Sequence, residues 1–289
     1  MKSAPFAYAR AASVEEVFDC LATHGDEVRL LAGGQSLLAT LALRLSEPAM
    51  LLDINGISAL RFIERRGDVI AVGALTRYCD LEASPLMTQH IPLVAQAIPH
   101  IAHAAIRNRG TIGGSLALAD PAAELPACMV ALQAVIVVAG AGGERRIAAN
   151  DFFLGIYATA LAPGEMIVRI EIALPRTGAA ATLAEFSRRH GDYAMVGLAA
   201  QASLRGTGTF EALRLVFFGC GERPVRAYGA EALVLGGGGL PAPTQARLRE
   251  AMQADLDPLS DLHAGADTRR YLAAVLAERA LAALVAHSA

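Results

Sequence analysis

The alternation of apolar and polar positions divides the chain into short strands and helices joined by glycine-rich turns. Ser13 followed by Glu16 predicts a helix start with a hydroxyl cap and a carboxylate three residues on. Val14, Val17, Phe18 and Leu21 give that helix its apolar face, and Gly25 lies near its end. Val28 to Leu31 predicts a strand that runs into Ala32-Gly33-Gly34-Gln35-Ser36. A helix follows over 36–45, with Leu37, Leu38, Leu41 and Leu45 on its apolar face and Pro48 beyond it. Met50 to Ile54 reads as a strand closed by the turn Asp53-Ile54-Asn55-Gly56. Phe62 to Glu64 and Val69 to Val72 flank Arg66-Gly67-Asp68 as a hairpin.

A helix starts over Thr76 to Leu81, and Leu93 to Ile101 is helical but interrupted by Pro99. A second glycine loop spans Asn108 to Ser115. Glu124 to Ala134 then reads as helix and Val135 to Ala139 as an apolar strand, with a tight connection at 140–143. Ile147 to Phe153 leads into a loop with Tyr157, and Ile167 to Leu174 alternates as a strand ended by Pro175. The segment Arg176 to Ala181 is the best linker candidate. Beyond it, Thr182 to Arg188, Val196 to Leu204 and Leu213 to Gly219 read as strands. Tyr228 to Leu235, Pro243 to Leu256 and Thr268 to Ala286 read as helices, with glycines at 236–239. On the last helix Leu272, Val275, Leu276, Leu281 and Leu284 face inward, and Arg269, Arg270, Glu278 and Arg279 outward. Strands backed by helices suggest a small α+β domain.

Composition narrows the class. The 289 residues suffice for one large domain or two modest ones. Hydrophobic residues make up 54%, but no uncharged run reaches the roughly 18 residues of a membrane helix, and no secretory h-region is visible. The net charge of −3 argues against nucleic acid as the main partner. Cys20, Cys79, Cys128 and Cys220 are widely spaced, which predicts reduced thiols in a cytoplasmic protein and no iron–sulfur cluster on this chain. Cys128 is expected in the core. His100 and His103 are the one pair near metal-ligand spacing, and they read as a local structural feature.

The candidate chemistry lies in the two glycine loops, Ala32 to Ser36 and Arg109-Gly110-Thr111-Ile112-Gly113-Gly114-Ser115. Glycines let backbone N–H groups approach a ligand, and successive N–H groups in a turn form a nest for anions such as a pyrophosphate. Gln35 and Ser36 could add side-chain donors. The loops lack the Lys-Ser/Thr of a P-loop and the G-x-G-x-x-G of a Rossmann fold, so ordinary structural turns are a serious alternative on spacing alone. Arg107, Arg109, Arg188 and Arg189 could face anionic groups or be solvated surface.

Taken together, Ala32-Gly33-Gly34-Gln35-Ser36, Arg107 to Ser115 and Gly191-Asp192-Tyr193-Ala194 resemble the FAD-binding medium subunits of molybdenum hydroxylases, a family that includes carbon monoxide dehydrogenase and xanthine dehydrogenase. The resemblance extends through Asp120 to Ala122, Phe152-Phe153 and the C-terminal region. It implies an α+β fold: a two-subdomain FAD-binding domain of the vanillyl-alcohol-oxidase (PCMH) type over 1–176, then a smaller C-terminal domain of the carbon monoxide dehydrogenase flavoprotein type over 177–289. By match, Ala32, Gly33, Gly34, Gln35 and Ser36 together with Thr111, Ile112, Gly113, Gly114 and Ser115 wrap the FAD pyrophosphate. Tyr193 lies near the isoalloxazine, and Asp120 and Glu124 contact the cofactor or its surroundings; a helix-terminal charge pattern is an equal reading of Glu124. His190 beside Tyr193 is a candidate for tuning the flavin site. Gln35 stands where some members have His, and Ser115 where others have Asp or Asn, which puts the fine contacts in question.

The resemblance further implies a redox subunit whose partners are a large subunit with a molybdopterin cofactor and a small subunit with two 2Fe–2S clusters, in a dimer of heterotrimers. Electrons would pass from the clusters to FAD and on to NAD, a quinone, oxygen or another carrier. The alternatives are a stand-alone FAD oxidoreductase of the same fold and a non-redox assembly subunit that has lost the flavin.

Overall fold

The structure, a computed structural model, describes residues 2–175, 178–205, 209–236 and 244–286. The first two residues of the expected linker, most of the glycine run at 236–239 and Pro243 lie outside the described residues.

Ser13 caps the first helix, α1 (Val14–His24): its hydroxyl accepts from the Glu16 N–H, and the Glu16 carboxylate accepts from the Ala12 N–H at 2.8 Å. Strands β1 (Ala7–Arg10), β2 (Val28–Leu31) and β3 (Met50–Asp53) form a parallel sheet in the order β1-β3-β2. Helix α2 (Leu37–Ala42) connects β2 to β3 and is shorter than expected. Leu41 is buried, whereas Leu38, Leu43 and Leu45 are exposed, Leu45 at 75%. The expected apolar face of this helix therefore points largely away from the core.

Next come β4 (Ile63–Arg66) and β5 (Val69–Gly73), the hairpin seen in the sequence, followed by α3 (Tyr78–Glu82), α4 (Pro85–His90), α5 (Pro92–Ala97), α6 (Ala104–Arg107), α7 (Ile112–Leu118) and α8 (Glu124–Ala131). Pro99 does not break the helical path after α5 but sits in a 3₁₀ turn, Ile98–His100. The chain continues through β6 (Val135–Gly140), β7 (Gly143–Ala148), α9 (Ala149–Phe152), a small hairpin of β8 (Phe153–Gly155) and β9 (Ala158–Thr159), and β10 (Met166–Ala173). A five-stranded antiparallel sheet has the order β4-β5-β10-β6-β7.

Side chains of a strand alternate between faces, and β6 shows the consequence. Ile136 and Val138 join a core with α5, α7 and α8, while Val137 and Ala139 join a second core with β2, β3 and α1. The sheet therefore holds the parallel subdomain on one face and the helical layer on the other.

The C-terminal part has the sheet β11 (Ala179–Ser187), β12 (Ala194–Arg205), β13 (Thr209–Phe218) and β14 (Val225–Arg226) in sequence order, then α10 (Tyr228–Gly236), α11 (Gln245–Ala251) and α12 (Ala266–Ala286). One face of this sheet packs on these three helices. Ala199, Val216 and Phe218 on the other face pack with α8. Every residue of α8 is buried, as expected of a helix apolar all round. Arg269 is a correction: it is 6% exposed, and its guanidinium donates to the Met195 and Gly219 carbonyls and to Asp261. Helical spacing placed it outward, but here α12 crosses the ends of β12 and β13, whose carbonyls need donors.

Candidate functional site

The first glycine loop leaves β2 at the carboxyl end of the parallel sheet, the position where open α/β sheets take ligands. Gly34 has φ of +71°, a left-handed conformation that glycine adopts without strain. Asn55, in the turn after β3, donates from Nδ2 to the Leu31 and Ala32 carbonyls at 3.2 and 2.8 Å and so fixes the start of the loop. Gln35 folds back to donate to the Gly33 carbonyl at 2.9 Å. Among the described residues no acceptor is paired with the backbone N–H groups of Gly33, Gly34, Gln35 or Ser36. Four successive N–H groups in one turn are thus left without a protein acceptor, an arrangement that can hold an anion.

The second loop lies directly on the first. A Cβ built on Gly33 would stand 2.4 Å from the Arg109 carbonyl oxygen and 2.8 Å from the Gly110 Cα. One on Gly110 would stand 2.5 Å from the Tyr78 ring. The glycines thus let backbone meet backbone, and the two loops form one unit.

The N–H groups of the second loop are used differently from the expectation. Ile112 donates to the Thr76 carbonyl at 3.0 Å, Gly113 to Ala74 at 2.9 Å, Gly114 to the Thr111 hydroxyl at 3.2 Å and Ser115 to the Thr111 carbonyl at 3.1 Å. The loop is stitched to the segment after β5, where Arg77 and Thr111 pair as an antiparallel bridge. A Cβ on Gly113 would meet the Ala74 carbonyl oxygen at 2.7 Å, so this glycine serves packing within the protein. The hydroxyl of Thr111, the N-cap of α7, accepts from Gly114 and retains its own proton to donate. Burial pushes the Tyr78 phenol up to about 12, and the neighbouring Ser115 side chain opposes the rise. Arg77, which the sequence reading passed over, has a buried Nε with no hydrogen-bond partner.

Asp120, Glu124 and Tyr193 come together at the junction of the helical layer with the C-terminal sheet. Asp120 is buried and accepts from the Ala122 N–H at 2.9 Å. Burial raises its carboxyl, while hydrogen bonds from Ala122 and Tyr157 oppose the rise. Glu124, 8% exposed at the first turn of α8, is pushed up to about 7, chiefly by burial. Tyr193 and Tyr157 are exposed, at 68% and 60%, and both lie within electrostatic reach of Asp120. Tyr157 takes a left-handed φ of +53°, an uncommon conformation for a bulky residue. The turn carrying Tyr193 is held from the α5 side: a Cβ on Gly191 would be 2.7 Å from the Ala102 carbonyl oxygen, and His190 stacks on His100 at 5.9 Å between ring centroids. His190 therefore packs on a histidine of the neighbouring layer. His100 accompanies Glu185 at 3.2 Å, and burial of that carboxylate is a feature periodicity could not reveal.

Of the four arginines considered, Arg107 bonds Glu82 and the Ile101 and Ala102 carbonyls, a structural use. The four cysteines are free thiols, with Cys128 in the core. Among the described residues no group of three or more His, Cys, Asp or Glu could hold a metal, and no helix is long and apolar enough to cross a membrane.

Comparison with known proteins identifies the family. Residues 4–176 match the family described as the FAD binding domain in molybdopterin dehydrogenase, and residues 181–284 match the carbon monoxide dehydrogenase flavoprotein C-terminal domain. The chain is 39% identical to the alpha subunit of the 6-hydroxypseudooxynicotine dehydrogenase complex of Paenarthrobacter nicotinovorans, over 98% of this chain and 95% of that one. It is 35% identical to the carbon monoxide dehydrogenase medium chain of Hydrogenophaga pseudoflava, over 98% of each. A solved structure of carbon monoxide dehydrogenase from the same organism superposes with a TM-score of 0.96 at 36% identity, covering 100% of both chains. Quinoline 2-oxidoreductase from Pseudomonas putida 86 superposes with a TM-score of 0.91 at 36% identity, over 100% of this chain and 99% of that one. The chain belongs to the family of FAD-binding domains of molybdopterin dehydrogenases, as a flavoprotein medium subunit of the carbon monoxide dehydrogenase type.

Proposed function

We propose that this chain carries electrons from 2Fe–2S clusters on a small partner subunit to an external acceptor, through an FAD held between its two glycine loops. The observation that carries the reading is the row of unpaired N–H groups from Gly33 to Ser36, locked against Arg109 and Gly110. A buried pyrophosphate needs many donors. Ala32 to Ser36 would supply backbone donors. Thr111 would add its hydroxyl, and Ile112, Gly113, Gly114 and Ser115 would hold the second loop at the right distance. Asp120, Glu124 and Tyr193 would border the isoalloxazine. When bound, the flavin supplies the two-electron redox chemistry; the protein orients it and leaves one face for exchange.

The division proposed is an FAD-binding domain over 1–176 and a C-terminal domain over 177–289, in a cytoplasmic protein. The partners are a large molybdopterin subunit and a small iron–sulfur subunit, assembled as a dimer of heterotrimers. Substrate chemistry then belongs to the large subunit. Exposed Leu38, Leu43 and Leu45 beside the first loop support a partner surface there, since clustered exposed apolar residues mark interaction sites. Purification from the native host with flavin, metal, iron–sulfur and subunit analysis tests the reading. Co-elution of FAD, iron and molybdenum with three subunits is expected. Turnover of a substrate by the isolated chain without iron or molybdenum would refute it.

A further inference from the structure

Glu124, which would border the isoalloxazine, has two further ionisable side chains beside it at the domain junction, Glu185 and His100. Glu124 opens the wholly buried helix α8. Glu185 stands on β11 with its side chain only 3% exposed, and one of its carboxylate oxygens lies 3.2 Å from His100 Nδ1. The other oxygen, Oε2, is buried and has no hydrogen-bond partner. Buried acceptors are almost always paired, so this oxygen adds negative character to the junction with no donor to offset it.

The groups facing Glu124 come from each element around it: Glu185 of β11, His100 of the 3₁₀ turn after α5, Asp120 of the segment before α8, Tyr78 of α3, Tyr193 of the turn before β12, and Cys128 one turn along α8. Of these six, His100 alone can carry positive charge. The cluster is therefore short of cations and disfavours a further negative charge. His100 is partly exposed and stacks on the exposed His190, which gives the buried carboxyls a connection to solvent.

We propose that Glu124, with Glu185 and His100, is a proton-uptake site that loads one proton as electrons arrive on a flavin bound beside Asp120 and Tyr193. The inference rests on reading Asp120, Glu124 and Tyr193 as the border of the flavin's isoalloxazine. In the step an O–H bond forms on a Glu124 carboxylate oxygen as an O–H bond of solvent water breaks on the His100 side, leaving hydroxide that the bulk buffer neutralises. The electrons stay on the flavin and come from the iron–sulfur partner or, in the assay, from an electrode. Burial already holds Glu124 near neutrality, so a small change of nearby charge is enough to shift its protonation.

The test is an infrared difference spectrum, reduced minus oxidised, of the FAD-loaded full chain poised electrochemically above neutral pH. A C=O stretch of a neutral carboxylic acid should grow on reduction, shift in deuterium oxide, vanish in Glu124→Gln and persist in the exposed control Asp151→Asn. Across the same pH range the flavin potential of the unmodified chain should fall more steeply than that of Glu124→Gln, by about 30 mV per pH unit for one proton per two electrons. Glu185→Gln covers the case in which the first variant fails to fold. Removing the neighbouring charge should move the pH midpoint of the band downward. A loaded chain with no carboxyl band on reduction, or with equal slopes in both proteins, overturns the proposal and leaves the flavin reading intact. A chain that takes up no FAD overturns both.

Discussion

Gly33→Ala probes the contact that joins the two loops. The added Cβ would stand 2.4 Å from the Arg109 carbonyl oxygen, 2.8 Å from the Gly110 Cα and 3.0 Å from the Arg109 carbonyl carbon. All three atoms are backbone, so no side chain can swing aside. Arg109 and Gly110 are themselves tied, since the N–H groups of both donate to the Ile106 carbonyl. Relief requires the loops to part by more than half an ångström. Overpacking of this kind costs about 1–3 kcal/mol. If the cost falls on the binding-competent arrangement, FAD affinity drops by roughly 5- to 150-fold. Titration of the apo chain with FAD, followed by flavin fluorescence, measures this directly. Gly142→Ala serves as control, because nothing lies within 4 Å of a Cβ there. Unchanged affinity in Gly33→Ala would refute the idea that close apposition of the loops forms the site.

Other expectations follow from the same geometry. Asn55→Leu leaves the Leu31 and Ala32 carbonyls without their side-chain donor, and should cost on the order of 1–3 kcal/mol in apo stability; a thermal melt equal to that of the unmodified chain would count against it. Tyr193→Ala should retain FAD, because the residue is distant in sequence and role from the glycine loops, yet change flavin fluorescence and reoxidation rate; identical values would remove the residue from the isoalloxazine site. Glu124→Gln should gain stability relative to the unmodified chain as pH rises from 4.5 through about 7. The folded state holds a proton in that window that the unfolded chain has released, so stability of the unmodified chain falls with rising pH, and glutamine escapes the loss. Parallel melting curves for the two proteins across the window would contradict the sign.

Local signals in the sequence located most elements. The Ser13–Glu16 cap, the strand Val28–Leu31 and the hairpin at 63–73 all depend on neighbours within a few residues. The pairing of the two glycine loops was legible through their shared chemistry and the family resemblance, since no local rule brings Gly33 to Arg109. What stayed hidden was long-range. Helical spacing marked Leu38 and Leu45 as apolar but could not say whether the core or a partner faces them. The N–H groups of Ile112 and Gly113 looked available for a ligand because their acceptors, Thr76 and Ala74, lie more than thirty residues earlier. Arg269 looked like a surface charge for the same reason, its acceptors being strand ends far back in the chain. Glu185 gave no signal at all, because burial at a domain junction leaves no periodic trace.

Flavin stoichiometry tests the central claim most directly. The full chain, purified without partners, stripped and reconstituted with FAD, should return about one flavin per chain and lose it in Gly33→Val, where a branched side chain has no room. A folded chain that stays colourless after reconstitution, or a Gly33→Val variant with full flavin content, would contradict the account.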